Sequence, residues 1–63
     1  MVTGKMLRRA RMRRKLTQVQ LAEKVGVHEM TVSRLERGER QPSLALLQRL
    51  AKALKVKVGE LLE

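Results

Sequence analysis

At 63 residues and 7.2 kDa the chain is the size of one small domain, and a chain this short removes only about 60% of its surface from water on folding. Without cysteine there is no disulfide, thiolate metal site or catalytic thiol, and without Phe, Tyr or Trp there is no stacking platform for unpaired bases. Fifteen Lys and Arg against six acids leave a net charge of +9, an imbalance that points to a polyanionic partner, nucleic acid first and an anionic membrane second.

The core must therefore be aliphatic: eleven Leu, seven Val, five Ala and four Met make 27 of the 63 residues. All six acids are Glu, with Asp and Asn absent, a bias that suits helices because Asp and Asn favour caps and turns. The longest apolar run, Leu44 to Leu47, is far short of the roughly 20 residues of a membrane span. Lys5 to Lys15 interleaves charges with single apolar residues, unlike the h-region of an export signal. The expectation is a soluble cytoplasmic protein.

The chain order reads as helices. Leu7 and Ala10 form a narrow stripe on a very basic first helix, expected from about Thr3 to Arg14. Thr17-Gln18-Val19-Gln20 has the capping-box pattern and should open a second helix with Leu21, Ala22 and Val25 on one face, ended by Gly26. In the third helix Val32 and Leu35 fall on one side, and Glu29, Met30, Ser33, Arg34 and Arg37 on the other. Gly38 closes it, and Glu39 to Pro42 reads as a loop because residues before proline avoid the helical region. Ser43 is the expected N-cap of a fourth helix running to about Leu54, with Leu47, Leu50, Ala51 and Leu54 inward. A short fifth turn, about Val58 to Leu62, would close the core with Leu61 and Leu62.

Gln18 to Arg37 carries the most specific pattern. Counting Gln18 as the first position, Ala22 is fifth and Gly26 ninth. Two helices crossing steeply through a short turn need a small side chain at the crossing and a glycine at the turn. The stretch Leu16-Thr-Gln-Val-Gln-Leu-Ala-Glu-Lys-Val-Gly-Val, followed by Thr31-Val-Ser-Arg-Leu-Glu-Arg-Gly-Glu-Arg-Gln-Pro-Ser, resembles the phage repressor and Cro-like (XRE-type) helix-turn-helix domain.

The resemblance covers about Leu7 to Leu62 and implies an all-α, compact bundle of five short helices. Residues 1–63 would form one DNA-binding domain, with the helix-turn-helix at about 17–37. It further implies that the third helix enters the major groove N-terminal half first. Glu29, Met30, Ser33 and Arg34 would then face base edges, Arg34 being suited to donate two bonds to a guanine. Gln18, His28, Thr31, Arg37, Arg40, Arg8 and Arg9 would lie along the phosphates, and Arg11 and Glu36 would form a structural ion pair. The partner is double-stranded DNA, bound as a symmetric pair on an inverted repeat by a weak homodimer strengthened on DNA. Val58, Leu61, Leu62 and the loop around Pro42 are the expected pairing surface.

Simpler readings stand beside these. The run Arg8, Arg9, Arg11, Arg13, Arg14, Lys15 also fits a solvated helix face, and Met6 and Met12 fit ordinary packing positions. Gln18 fits a plain first-turn residue. His28 has no second His or Cys as a fellow ligand, so no metal or other cofactor is expected. One His, no Asp and no Cys argue against catalysis. A membrane-surface peptide accounts for the charge but not for Ala22, Gly26 and Pro42. A protein-interaction module of the same fold, such as a toxin-binding antitoxin, is the alternative function. The pattern departs from the family at three positions: Lys15 and Lys55 stand where a helix-ending glycine is common, and Lys57 replaces a Ser or Thr cap.

Overall fold

The computed structural model describes residues 1–62. Its elements in chain order are α1 (Gly4–Arg13), α2 (Gln18–Val25), α3 (Glu29–Glu36), α4 (Leu44–Leu54) and a closing 3-10 turn (Val58–Leu61). The all-α class and four of the five expected helices match these boundaries. The fifth is only a four-residue 3-10 turn. Gly59 sits inside it, and at its start only the Glu60 carboxylate caps, accepting from the Lys57 amide at 2.7 Å. One capping contact and a glycine support little more than one turn.

Local chemistry sets the helix ends. The Thr3 and Ser43 hydroxyls accept from the amides of Met6 and Leu46 at the starts of α1 and α4. At α2, Thr17 Oγ1 accepts from the Gln20 amide at 3.0 Å and Gln20 Oε1 from the Thr17 amide at 2.8 Å, a complete capping box. Gly26 ends α2 at φ +74°, a conformation glycine adopts without a Cβ penalty. Lys15 and Lys55 take the same left-handed region at φ 56° and 57°, at a cost of about 1 kcal/mol each.

The core is one contiguous cluster. Leu7, Leu21, Leu35, Leu50, Leu54, Leu61 and Val32 are its largest fully buried side chains. α2 packs on both α3 and α4, while α1 packs on α3 and on the closing turn. The small Ala22 lies buried on α2, where the crossing needs it. With a radius of gyration of 9.8 Å, the chain is somewhat tighter than the roughly 11 Å expected for its length. No helix among the described residues is long and apolar enough to cross a membrane.

Three long-range ties bind the periphery. Val2 is buried, bridges to Leu62, and is clamped by the Gln41 amide, which accepts from the Val2 N–H at 2.9 Å and donates to its carbonyl at 3.0 Å. Arg14 Nε donates to the Leu54 carbonyl at 2.9 Å, so this member of the basic run caps the C-terminus of α4 and is engaged within the fold. Arg49 Nη1 does the same for α2 through the Val25 carbonyl at 3.2 Å. The methionines also differ from expectation: Met12 is 56% and Met6 38% exposed, because Leu7 and Ala10 alone supply the inward stripe of α1.

Candidate nucleic-acid interface

The outward face of α3 is set by its inward one. Val32 and Leu35 are buried, which turns Glu29, Met30, Arg34 and Arg37 to solvent and leaves Ser33 and Thr31 half-buried at the edges. Met30 is 52% exposed, so it is a presented apolar side chain and not a core residue. Among the described residues, neither the Glu29 carboxylate nor the Arg34 guanidinium has an ion-pair partner. The donor fork of Arg34 is thus free to meet an external acceptor. His28 occupies the N-cap position without a side-chain capping bond.

Beneath this face lies a polar junction of three helices. Arg11 of α1 grips Glu36 of α3 with two bonds, Nε to Oε2 at 2.6 Å and Nη2 to Oε1 at 3.1 Å. Arg11 Nη1 donates to the Leu16 carbonyl at 2.8 Å, and Gln18 Nε2 of α2 adds a bond to Glu36 Oε1 at 3.1 Å. The side chains are 12% and 4% exposed, so the pair is largely withdrawn from water. A parallel two-bond arginine–carboxylate contact is both strong and directional, and here it fixes the C-terminal end of α3 against α1 and the start of α2.

The same junction floors an open hollow of about 300 Å³ lined by Arg8, Arg11, Gln18, Ser33, Glu36 and Arg37. Four of the residues singled out in the sequence for base or phosphate contact, Arg8, Gln18, Ser33 and Arg37, therefore meet in one place. The capping box beside it leaves the first amides of α2, those of Gln18 and Val19, pointing outward without intrahelical partners, an arrangement suited to an anion. Arg37 also forms a surface pair with Glu39 at 3.4 Å, a contact worth at most about 1 kcal/mol and easily exchanged. Arg40 is exposed in the following loop.

Two of the expected residues lie elsewhere. Arg9 does not line this hollow: successive helical residues differ by about 100°, and Arg9 turns to the other flank of α1, where it shares a hollow with Met6, Ala10, Arg13, Val56 and Glu60. Leu61 is fully buried and is unavailable for pairing. Leu62 is half-buried and bridged to Val2, whereas Leu44, next to the Pro42 loop, is 67% exposed.

Sequence reading missed Gly4. A Cβ there would lie 2.0 Å from the Glu36 carbonyl oxygen and 2.9 Å from that of Leu35, so the start of α1 abuts the backbone at the end of α3. Gln41, Arg14 and Arg49 were equally invisible as ties. Each acts on a backbone group 24 to 40 residues away, and no local pattern encodes such a pairing.

A helix-turn-helix family model matches residues 7–61. The chain is 41% identical over 59 residues to the immunity repressor protein of Bacillus phage phi105, covering 94% of this chain and 41% of that protein. It is 54% identical over 39 residues to an uncharacterized HTH-type transcriptional regulator of Methanothermobacter thermautotrophicus, covering 62% of this chain and 56% of that one. It thus spans about half the length of these relatives. Among solved structures, the P22 c2 repressor in complex with a synthetic operator superposes with a TM-score of 0.93 at 33% identity, covering 100% of this chain and 96% of that one. A family match across nearly the whole chain, on the fold and residue pattern described above, shows that the chain belongs to the phage repressor and Cro-like helix-turn-helix family.

Proposed function

We propose that this chain is a sequence-specific double-stranded DNA-binding domain of a transcriptional regulator, most simply a repressor, working in the cytoplasm at the nucleoid without catalytic activity. The observation that carries the proposal is the uncommitted outer face of α3, with Glu29, Met30, Ser33 and Arg34 in a row and a rigid three-helix junction beneath. A helix presented in this way fits the major groove. The P22 c2 repressor, whose fold this chain shares, has been seen in complex with a synthetic operator.

On this reading Arg34 donates to guanine O6 and N7, Glu29 accepts from a cytosine amine, Met30 packs against a thymine methyl and Ser33 bonds an adjacent base. Phosphates are held by Gln18 with the α2 amides, by Arg8, Arg37 and Arg40, and at the margins by His28 and Thr31. Two copies bind half-sites about 34 Å apart, meeting through the Pro42 loop and Leu44. With so little apolar surface there, the pair is weak off DNA.

The test is selection from a random duplex pool at about 150 mM salt, where charge-driven binding is damped. Enrichment of an inverted repeat is the expected result. Retention of DNA without an enriched motif, together with capture of a specific protein such as a toxin, would replace this function with the protein-interaction alternative.

A further inference from the structure

A second basic surface lies away from α3. The C-terminal halves of α2 and α4 border an open hollow of about 400 Å³ lined by Lys24, Arg49, Lys52, Ala53 and Lys55. Four of these five residues are cationic and none is acidic. Arg49, Lys52 and Lys55 follow at three-residue intervals, a stripe about 9 Å long, with Lys24 across the hollow on α2. The ion pairs among the described residues are Arg11–Glu36 and Arg37–Glu39, so no described carboxylate neutralises the cluster.

Helix ends account for part of this charge. Lys24 and Lys52 lie in the last turns of α2 and α4, and Arg49 caps the Val25 carbonyl. Each helix C-terminus presents only about half a negative charge. Two such ends offset about one of the four cations, leaving a surplus of about three around a concave space the size of a small-molecule site.

We propose that this hollow binds a short chain of phosphate groups, an oligophosphate, independently of DNA. Three of its four cations are lysines, point charges that take phosphate without the planar geometry carboxylates ask of arginine. The site is compact, where a peptide would need an extended groove. With no aromatic residue in the chain, recognition rests on the phosphates and not on a stacked base. The hollow shares no lining residue with the one at the α1–α3 junction. It sits toward the opposite end of α2 from Gln18, with Lys24 about 9 Å along the helix axis. The phosphate backbone of a second duplex offers the same chemistry, and the experiment separates the two sources.

Sodium tripolyphosphate is titrated into the full chain at about 150 mM salt by calorimetry and by amide chemical-shift mapping, for wild type, Lys24→Gln/Lys52→Gln and Lys5→Gln/Lys57→Gln. All four lysines are exposed, and the two variants lose equal charge. The Lys24/Lys52 variant should bind roughly tenfold more weakly, the loss of two charge-assisted contacts, with wild-type shifts centred on residues 23–26 and 49–56. The Lys5/Lys57 variant should stay within about twofold. Equal weakening in both variants, or shifts centred on α1 and α3, would show attraction by net charge alone and overturn the site. In a second arm, affinity for a mixed-sequence duplex is followed against salt. An unchanged slope in the Lys24/Lys52 variant supports a separate site, whereas a slope lower by about two would assign these lysines to duplex phosphates and overturn it.

Discussion

Replacing Glu36 by Gln tests the three-helix junction most directly. The substitution keeps the shape of the side chain but removes the charge facing Arg11, whose side chain is 12% exposed and makes a third bond to the Leu16 carbonyl. Leaving one member of a withdrawn pair uncompensated costs about 3–5 kcal/mol, and the residual exposure of Arg11 places this case near 3. A chain of 63 residues has a total stability of about 3–9 kcal/mol, so Glu36→Gln should bring the protein close to its unfolding threshold. Tm should fall by about 12–24 °C for a domain of this size. Urea titration followed by helical circular dichroism supplies the measurement. The companion variant Arg11→Met/Glu36→Leu removes both charges together and should lie within about 1 kcal/mol of wild type, because a buried pair and a well-packed apolar replacement differ little. If Glu36→Gln costs less than about 1 kcal/mol, in the range of a surface pair, then the junction is effectively solvated and does not fix α3.

Four further outcomes follow from named contacts. Arg34→Ala should weaken binding to the selected operator by about 1–3 kcal/mol and relax preference at one base pair; an equal loss on all sequences would make Arg34 a phosphate contact. Arg8→Gln should lower the salt slope of operator binding by about one unit, whereas Arg9→Gln, on the other flank of α1, should leave it unchanged. Gly4→Ala forces a methyl group to within 2.0 Å of the Glu36 carbonyl and should destabilise by about 1–3 kcal/mol; an unaltered urea midpoint would mean that α1 and α3 part without cost. Lys15→Gly relieves a left-handed residue at φ 56° and should raise stability by about 0.5–1 kcal/mol, read as a higher midpoint at constant m-value.

Much of the molecule was determined by patterns within a few residues. The Thr17–Gln20 capping box, the Ser43 cap, Gly26 at φ +74° and the Leu47-Leu50-Ala51-Leu54 stripe all appear as expected, because capping and helical periodicity act over one to three turns of contiguous chain. For the same reason the apolar side of α3 was legible, and with it the identity of the face turned outward. The left-handed Lys15 and Lys55 fall where the family resemblance places a helix-ending glycine.

Only tertiary structure decided the rest. Arg8 and Arg9 are indistinguishable as letters in a basic run, yet packing of Leu7 and Ala10 sends one to the α1–α3 hollow and the other to the closing turn. Arg14 and Arg49 read as surface charge and prove to cap helices far along the chain. Whether Leu61 was a pairing residue or core depended on how α1 and α4 close over it. Gly4 is needed because the end of α3 arrives against it from more than thirty positions away. The oligophosphate hollow likewise exists only because α2 and α4 bring their C-terminal ends together. Sequence periodicity states which side of each helix faces the core, but which helix end meets which depends on the crossing of elements distant in the chain. That geometry arises only when their buried faces interlock.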